Sequence, residues 1–298
     1  MHNPTAAILD LGCIATRQQL IARGYSGYDL TCAVRLGLIR RVRQARYATP
    51  DAPFDAVAAI RIGGRLAGPS AADSYGLWHG FDTRLHVSVG ENSSRLRTNV
   101  APSFRKLGQR LSPDTSNRST VVHWLVDGAV PELGPECWRV PLPVCLRQMV
   151  EWCDRETAIA CLDTALTKYR LSRTQLLGIF SDAPASDRLL AGKCCPGSDS
   201  GPESLVRQRL TALGIKVRQQ IQIRGVGPVD MGIVGTRIIL EIDGGRYHSS
   251  DEAFEHDRWR TAECVARGYT VIRLSYVQVT TDWAWCLRMI FGAMAAAA

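Results

Sequence analysis

Residues 229–248 read VDMGIVGTRIILEIDGGRYH, a run apolar enough for a protein core that nonetheless carries Asp230, Glu241 and Asp243. Aspartate and glutamate are almost never fully buried without a partner. Side chains of a strand alternate with period two, so Ile238, Leu240 and Ile242 face one way and Ile239, Glu241 and Asp243 the other. Two acids on one face repel unless a cation lies between them. Asp230, separated from Glu241 by ten residues, returns beside them across a hairpin.

Working outward, PESLVRQRLTALG upstream predicts an amphipathic helix with Pro202 in its first turn, Glu203 at its N-terminal end, and Leu205, Val206, Leu210 and Leu213 on one side. VRQQIQI then reads as a strand, RGVGP as a turn, and a second strand opens at Asp230. Carboxylates brought together from one helix and two strands suit a hard cation with oxygen ligands, Mg²⁺ or Mn²⁺. Such an ion polarises a phosphate oxygen and acidifies bound water, the chemistry of phosphodiester hydrolysis. Each acid also has a purely structural reading. Asp243 before Gly244 and Gly245 suits a hairpin turn, Glu203 suits a helix N-terminus, and Asp230 suits a strand edge.

Glu203 on a helix, then Asp230, ten residues and Glu241-Ile-Asp243, resembles the PD-(D/E)xK nuclease core, with Asp243 where the usual lysine stands. LEIDGGRYH followed by EHDRWRTAECVARGYTVIRL is most similar, among its branches, to the very-short-patch-repair-like endonucleases. The resemblance spans residues 203–279 and rests on Asp243, Gly244, Tyr247, His248, Asp257, Arg258, Arg260 and the closing strand YTVIRLSY. It implies that Asp230, Glu241 and Asp243 hold Mg²⁺ or Mn²⁺, with Glu203 as a further acid. It also implies that His248 orients or deprotonates water, while Asp257, Arg258 and Arg260 form supporting ion pairs. Repair enzymes of this type carry histidine at the place of Asp243, and their zinc ligands have no counterpart here, so mismatch recognition is not implied.

The whole chain of 298 residues, 46% hydrophobic and 21% charged, has the composition of a soluble globular protein with two or three domains. Its apolar runs are far shorter than a membrane span, and the first 30 residues lack the order of a secretory signal, which predicts a cytoplasmic protein. Ten cysteines form no Cys-x-x-Cys pair and no zinc quartet. Cys137, Cys145, Cys153 and Cys161 recur every eight residues, a step that drifts ~80° around a helix, so buried reduced thiols are expected. The net charge of +8 favours an anionic partner.

That charge is concentrated where Arg35, Arg40, Arg41, Arg43 and Arg46 fall in a segment without an acid. Thr16 and Ser26 are expected to cap two helices that Gly24 and Gly37 end, and LIRRVR and RYAT predict two short strands turning at Gln44 and Ala45. The order helix, turn, helix and basic hairpin resembles a winged helix. The residues GCIATRQQL and GLIRRVRQARYA resemble the N-terminal domain of AbiEi-type antitoxins of abortive-infection toxin-antitoxin systems. The resemblance implies that residues 26–36 enter a DNA major groove while the arginines track phosphates. A solvated strand face on a small helical bundle is the alternative.

The expectation is an α/β multidomain protein: a winged-helix DNA-binding domain at 1–55, an AbiEi-like middle α/β domain at 56–190, a linker at 191–202, and a PD-(D/E)xK nuclease-like α/β/α domain at 203–298. In the middle region His79, His86 and His123 lack matched ligands, and Trp78, Trp124, Trp138 and Trp152 are assigned to core or interface. The expected activity is Mg²⁺-dependent DNA cleavage, in phage defence or a mobile element, with DNA as partner and a cognate toxin or phage component as another. The rival is a non-catalytic DNA-binding regulator or antitoxin that retains an inactive nuclease fold, which the missing lysine favours.

Overall fold

The computed structural model describes residues 2–94, 96–97, 119–125, 134–243 and 251–297. It divides into two compact units, Met1–Trp152 and Cys153–Ala298. Among the described residues no helix is long and apolar enough to cross a membrane.

The first unit opens with α1 (Thr5–Asp10), β1 (Ile14–Thr16), α2 (Arg17–Ala22), α3 (Gly27–Arg35), β2 (Arg40–Arg43) and β3 (Arg46–Ala48). Capping chemistry fixes both inner helices. Thr16 Oγ1 accepts from the Gln19 N–H at 3.0 Å while Gln19 Oε1 accepts from the Thr16 N–H at 2.7 Å, and Ser26 and Asp29 repeat the exchange on α3. Each box satisfies two N–H groups the helix cannot, and a cap of this kind contributes about 1 kcal/mol. The strands form an antiparallel sheet in the order β1-β3-β2, closed by the turn at Gln44 and Ala45. Ile8, Leu11, Leu20, Leu30, Ala33, Ile39 and Tyr47 fill the core beneath it.

This segment is not sealed off at residue 55. The Gln19 side chain donates to the Gly134 carbonyl at 2.8 Å, the Trp138 indole donates to the Gly12 carbonyl at 2.7 Å, and the Glu136 N–H donates to the Leu11 carbonyl. The rest of the unit comprises α4 (Phe54–Ile62), β4 (Arg65–Leu66), α5 (Gly68–Ser74), β5 (Leu85–Gly90), β6 (Thr120–Leu125) and α6 (Leu142–Trp152). β5 lies between β4 and β6, antiparallel to the first and parallel to the second. Gly68 starts α5 at φ +46, and a Cβ there would stand 2.4 Å from the Trp152 ring, so both backbone and space require glycine.

The second unit begins with three helices, α7 (Arg155–Lys168), α8 (Arg173–Ile179) and α9 (Ala185–Ala191), followed by α10 (Gly201–Ala212). Then come β7 (Val217–Ile223), β8 (Gly227–Ile233), β9 (Ile238–Asp243), α11 (Asp251–Ala266), β10 (Thr270–Ser275), α12 (Tyr276–Thr281) and α13 (Trp283–Ala296). The sheet order is β10-β9-β8-β7, with β10 parallel to β9 across the α11 crossover and the other pairs antiparallel. Ile223, Val226, Val229 and Ile239 pack with Cys264 of α11 on one face. Ile238, Leu240 and Ile242 are buried in alternation with them, as period two requires.

The expected linker at 191–202 is instead packed structure. Cys194 and Ser198 are wholly buried, and the Gly197 N–H donates to Thr167 Oγ1 at 3.0 Å. Its anchor is Asp163 of α7, itself fully buried, which accepts from the Cys195 N–H at 2.9 Å, Ser204 Oγ at 2.6 Å and Arg207 Nη2 at 2.7 Å. Glycine, serine and proline read as flexible by composition, but here the backbone N–H groups of Cys195 and Gly197 are hydrogen-bonded to α7, and the Ser204 and Arg207 side chains tie α10 to the same helix. All ten cysteines are free thiols, and burial raises the pKa of Cys194 and Cys195, so both remain protonated.

Candidate active site

Four sequence-predicted acids come from three elements of the second unit. Glu203 sits in the first turn of α10, capped by Ser200, whose Oγ accepts from the Glu203 N–H at 3.4 Å. Its side chain is buried, and one carboxylate oxygen accepts from the Asp199 N–H at 2.9 Å. Asp230 lies in the middle of β8, not at its opening, and its carboxylate accepts from the Ile242 N–H at 2.7 Å. The register pairs Met231 with Leu240, so one step further Asp230 faces Glu241. Glu241 and Asp243 share the α11 side of β9, as alternation predicts.

Two arginines enter between these acids. Arg260 of α11 stands 3.5 Å from Glu241 and 4.0 Å from Asp257, and it also donates to the Pro228 carbonyl. Arg273 of β10, the parallel neighbour of Glu241, stands 3.2 Å from Asp243 and 2.5 Å from Asp257 and donates to Thr261 Oγ1. Asp257 and Arg260 are thus both ion-paired, while Arg258 is exposed and has other interactions. Arg273 falls in the closing strand YTVIRLSY of the resemblance, which assigned it no role. Its signal was a cation inside an apolar strand, TVIRLS, at the step that parallel pairing sets beside Glu241.

Burial raises the pKa of every one of the four acids. Glu203 is pushed up to about 7, first by desolvation and then by the charge of Asp230, against the bonds from Ser200 and Asp199. Glu241 also rises to about 7 by desolvation and the charge of Asp230, although Arg260 and Arg273 oppose it. Asp230 rises because of burial and the charges of Asp199 and Asp243, against the Ile242 bond and Arg260. Asp243 rises through burial, with Arg273 opposing. Burial is thus the main cause throughout, and the charge of Asp230 adds to it at both glutamates.

The donor set is carboxylate oxygen throughout, which matches Mg²⁺ or Mn²⁺ rather than a thiolate- or imidazole-seeking ion. Among the described residues no group of three or more His, Cys, Asp or Glu is already arranged around a metal position. His248, with Gly244 and Tyr247, lies outside the described residues.

The five N-terminal arginines separate. Arg35 and Arg41 are exposed. Arg43 instead donates to the carbonyls of Arg61 and Ile62 at 2.9 and 2.6 Å, closing the C-terminus of α4, and Arg40 donates to the Ala52 carbonyl at 3.3 Å. Burial lowers the pKa of both. Arg46, partly buried, adds its charge to Arg43. A sequence run of arginines therefore mixes exposed side chains with ones engaged inside the unit.

The middle-region histidines also differ from expectation. His86 is buried but matched, its Nε2 3.0 Å from Asp82 and its Nδ1 3.1 Å from His123, whose ring stacks on Trp152. Trp138 is buried as expected, whereas Trp124 is 55% exposed.

Residues 203–293 match the family model REase_MTES_1575, which is restriction-endonuclease-like, and this supports a nuclease domain in the second unit. No curated protein matches the chain. Among solved structures, a homing endonuclease I-Bth0305I catalytic domain aligns at 20% identity over 30% of this chain and 88% of that one, with a TM-score of 0.27.

Proposed function

We propose that the protein is a divalent-metal-dependent DNA endonuclease whose chemistry resides on Glu203, Asp230, Glu241 and Asp243. The observation that carries this reading is the placement of these acids on α10, β8 and β9, with Asp230 tied to the Ile242 N–H, on the segment that matches the restriction-endonuclease-like family. Asp230, Glu241 and Asp243 would hold Mg²⁺ or Mn²⁺, which supplies charge stabilisation at the phosphate and an acidified water.

The chain's own groups do the rest. The Ile242 N–H fixes one oxygen of Asp230 and leaves the other for the site. Arg260 sets a positive charge beside Glu241, where negative charge develops on a phosphate under attack. His248 is assigned to orient or deprotonate the attacking water. Supercoiled plasmid incubated with the purified protein and Mg²⁺ or Mn²⁺ tests the reading through nicked or linear product.

The N-terminal order α1-β1-α2-α3-β2-β3 supports a winged-helix role in DNA binding, with Arg35 and Arg41 toward phosphate and α3 toward a groove. A place in phage defence or a mobile element, with a toxin or phage component as partner, rests on the AbiEi resemblance alone. A second reading, the non-catalytic regulator, is favoured by one observation. Glu241 and Asp243 already have arginine partners, which neutralise the charge a metal would otherwise neutralise.

A further inference from the structure

Within β7, Gln220 has φ +48, a left-handed backbone that side-chain-bearing residues rarely adopt. Among the described residues the other non-glycine positive φ values, at Cys13, Ala45, Glu136 and Arg170, fall outside helices and strands, and Gln220 alone interrupts a strand. The interruption has a defined place. The β7–β8 ladder pairs Gln219 with Met231 and Ile221 with Val229 but skips the step between them, where Gln220 would face Asp230.

Consecutive side chains of a regular strand point to opposite faces. Here they reach the same segment. Gln219 Nε2 donates to Ser198 Oγ at 2.6 Å, and Gln220 Nε2 donates to Asp199 Oδ2 at 3.4 Å. The left-handed backbone at Gln220 is what lets two adjacent strand residues bond two adjacent residues of one segment. The clamped segment is the lead-in to α10, and the Asp199 N–H is the group that holds the Glu203 carboxylate at 2.9 Å.

We propose that Gln220 is a positioning residue of the carboxylate site: its left-handed kink opens the ladder beside Asp230 and turns its carboxamide onto Asp199, fixing Glu203 of the helix against Asp230 of the strand. This rests on the nuclease reading above for its catalytic consequence, and on geometry alone for the clamp. Backbone strain of this sort persists where surrounding structure enforces it, and it concentrates at functional sites.

The test is made on the full chain with supercoiled plasmid and Mn²⁺, together with hydrogen exchange at the Asp199 amide. Gln220→Gly keeps the left-handed backbone without strain and removes the carboxamide. The expected result is a melting temperature no lower than wild type, a kcat reduced by about 10- to 100-fold with KM for DNA within about twofold, and faster exchange at Asp199. Gln220→Asn, which tolerates the same φ and retains a carboxamide, recovers part of the rate. Wild-type kcat and wild-type Asp199 protection in Gln220→Gly overturn the proposal, as does a loss confined to KM. If the wild-type protein cleaves no nucleic acid, the nuclease reading fails. The Asp199 amide still decides the clamp, and unchanged protection in Gln220→Gly rejects it.

Discussion

The carboxylate of Asp230 accepts a 2.7 Å hydrogen bond from the backbone N–H of Ile242, across the β8–β9 pair. The bond ties the central acid to the strand that carries Glu241 and Asp243 on either side of Ile242. It also leaves one carboxylate oxygen for the site, and it opposes the burial and neighbouring charge that raise the Asp230 pKa. The arrangement is one of opposed forces: acids forced together by the fold, with arginines and backbone N–H groups that only partly offset the repulsion.

Stability should therefore fall as these acids ionise. Glu203 and Glu241 have folded-state pKa values near 7, above their ordinary 4.5. A raised acid pKa means that the folded state holds more protons than the unfolded one between those values, so its contribution is present at low pH and lost as pH rises from 4.5 through 7. Without divalent metal, the melting temperature should drop over that window. At pH 8, Mg²⁺ or Mn²⁺ should restore it by mass action, and Glu241→Gln should flatten the pH dependence. A profile that is flat from pH 5 to 8 and insensitive to either ion would argue against crowding.

The buried pair of Asp163 and Arg207 predicts where the chain can be cut. Removing one partner of such a pair leaves an uncompensated charge and costs about 3–5 kcal/mol. Asp163→Ala should lose stability of that order in urea. A fragment of residues 153–298 should fold cooperatively while one of residues 203–298 does not, because the shorter fragment strands Arg207 and Ser204 without Asp163. Cooperative unfolding of the shorter fragment at full stability would show that α7 is dispensable.

DNA affinity should divide the N-terminal arginines into two groups. Replacing Arg35 and Arg41 with alanine should reduce the slope of log affinity against log salt by about 0.9 for each phosphate that is no longer neutralised. Arg43→Ala should lower stability instead, because it opens the C-terminal end of α4. Equal slopes for wild type and the Arg35/Arg41 double variant would remove that surface from the DNA-binding account.

Much of the second unit was legible because local rules and tertiary structure agree there. VRQQIQI is β7 residue for residue, and period two set Glu241 and Asp243 on one face of β9. Thr16 and Ser26 cap their helices as their positions beside Gln19 and Asp29 suggest. What was not legible depended on distant partners. Composition made 191–202 look like a linker, and nothing local announces that Asp163, some thirty residues earlier, takes up its backbone. Arginine spacing could not reveal that the α4 carbonyls would claim Arg43, nor could any pattern foretell a left-handed Gln220 inside a strand.

The central claim, that the acids around Asp230 hydrolyse phosphodiesters with a divalent ion, is tested most directly by plasmid cleavage with wild type, Asp230→Asn, Glu241→Gln and His248→Ala, each in Mg²⁺, Mn²⁺ and EDTA. Wild type should nick the plasmid with either ion and not in EDTA, the first two variants should give no product despite retained DNA binding, and His248→Ala should be slower by about 10² to 10⁴. Cleavage that persists in both Asp230→Asn and Glu241→Gln, or no cleavage by the folded wild-type protein with either ion, would contradict it.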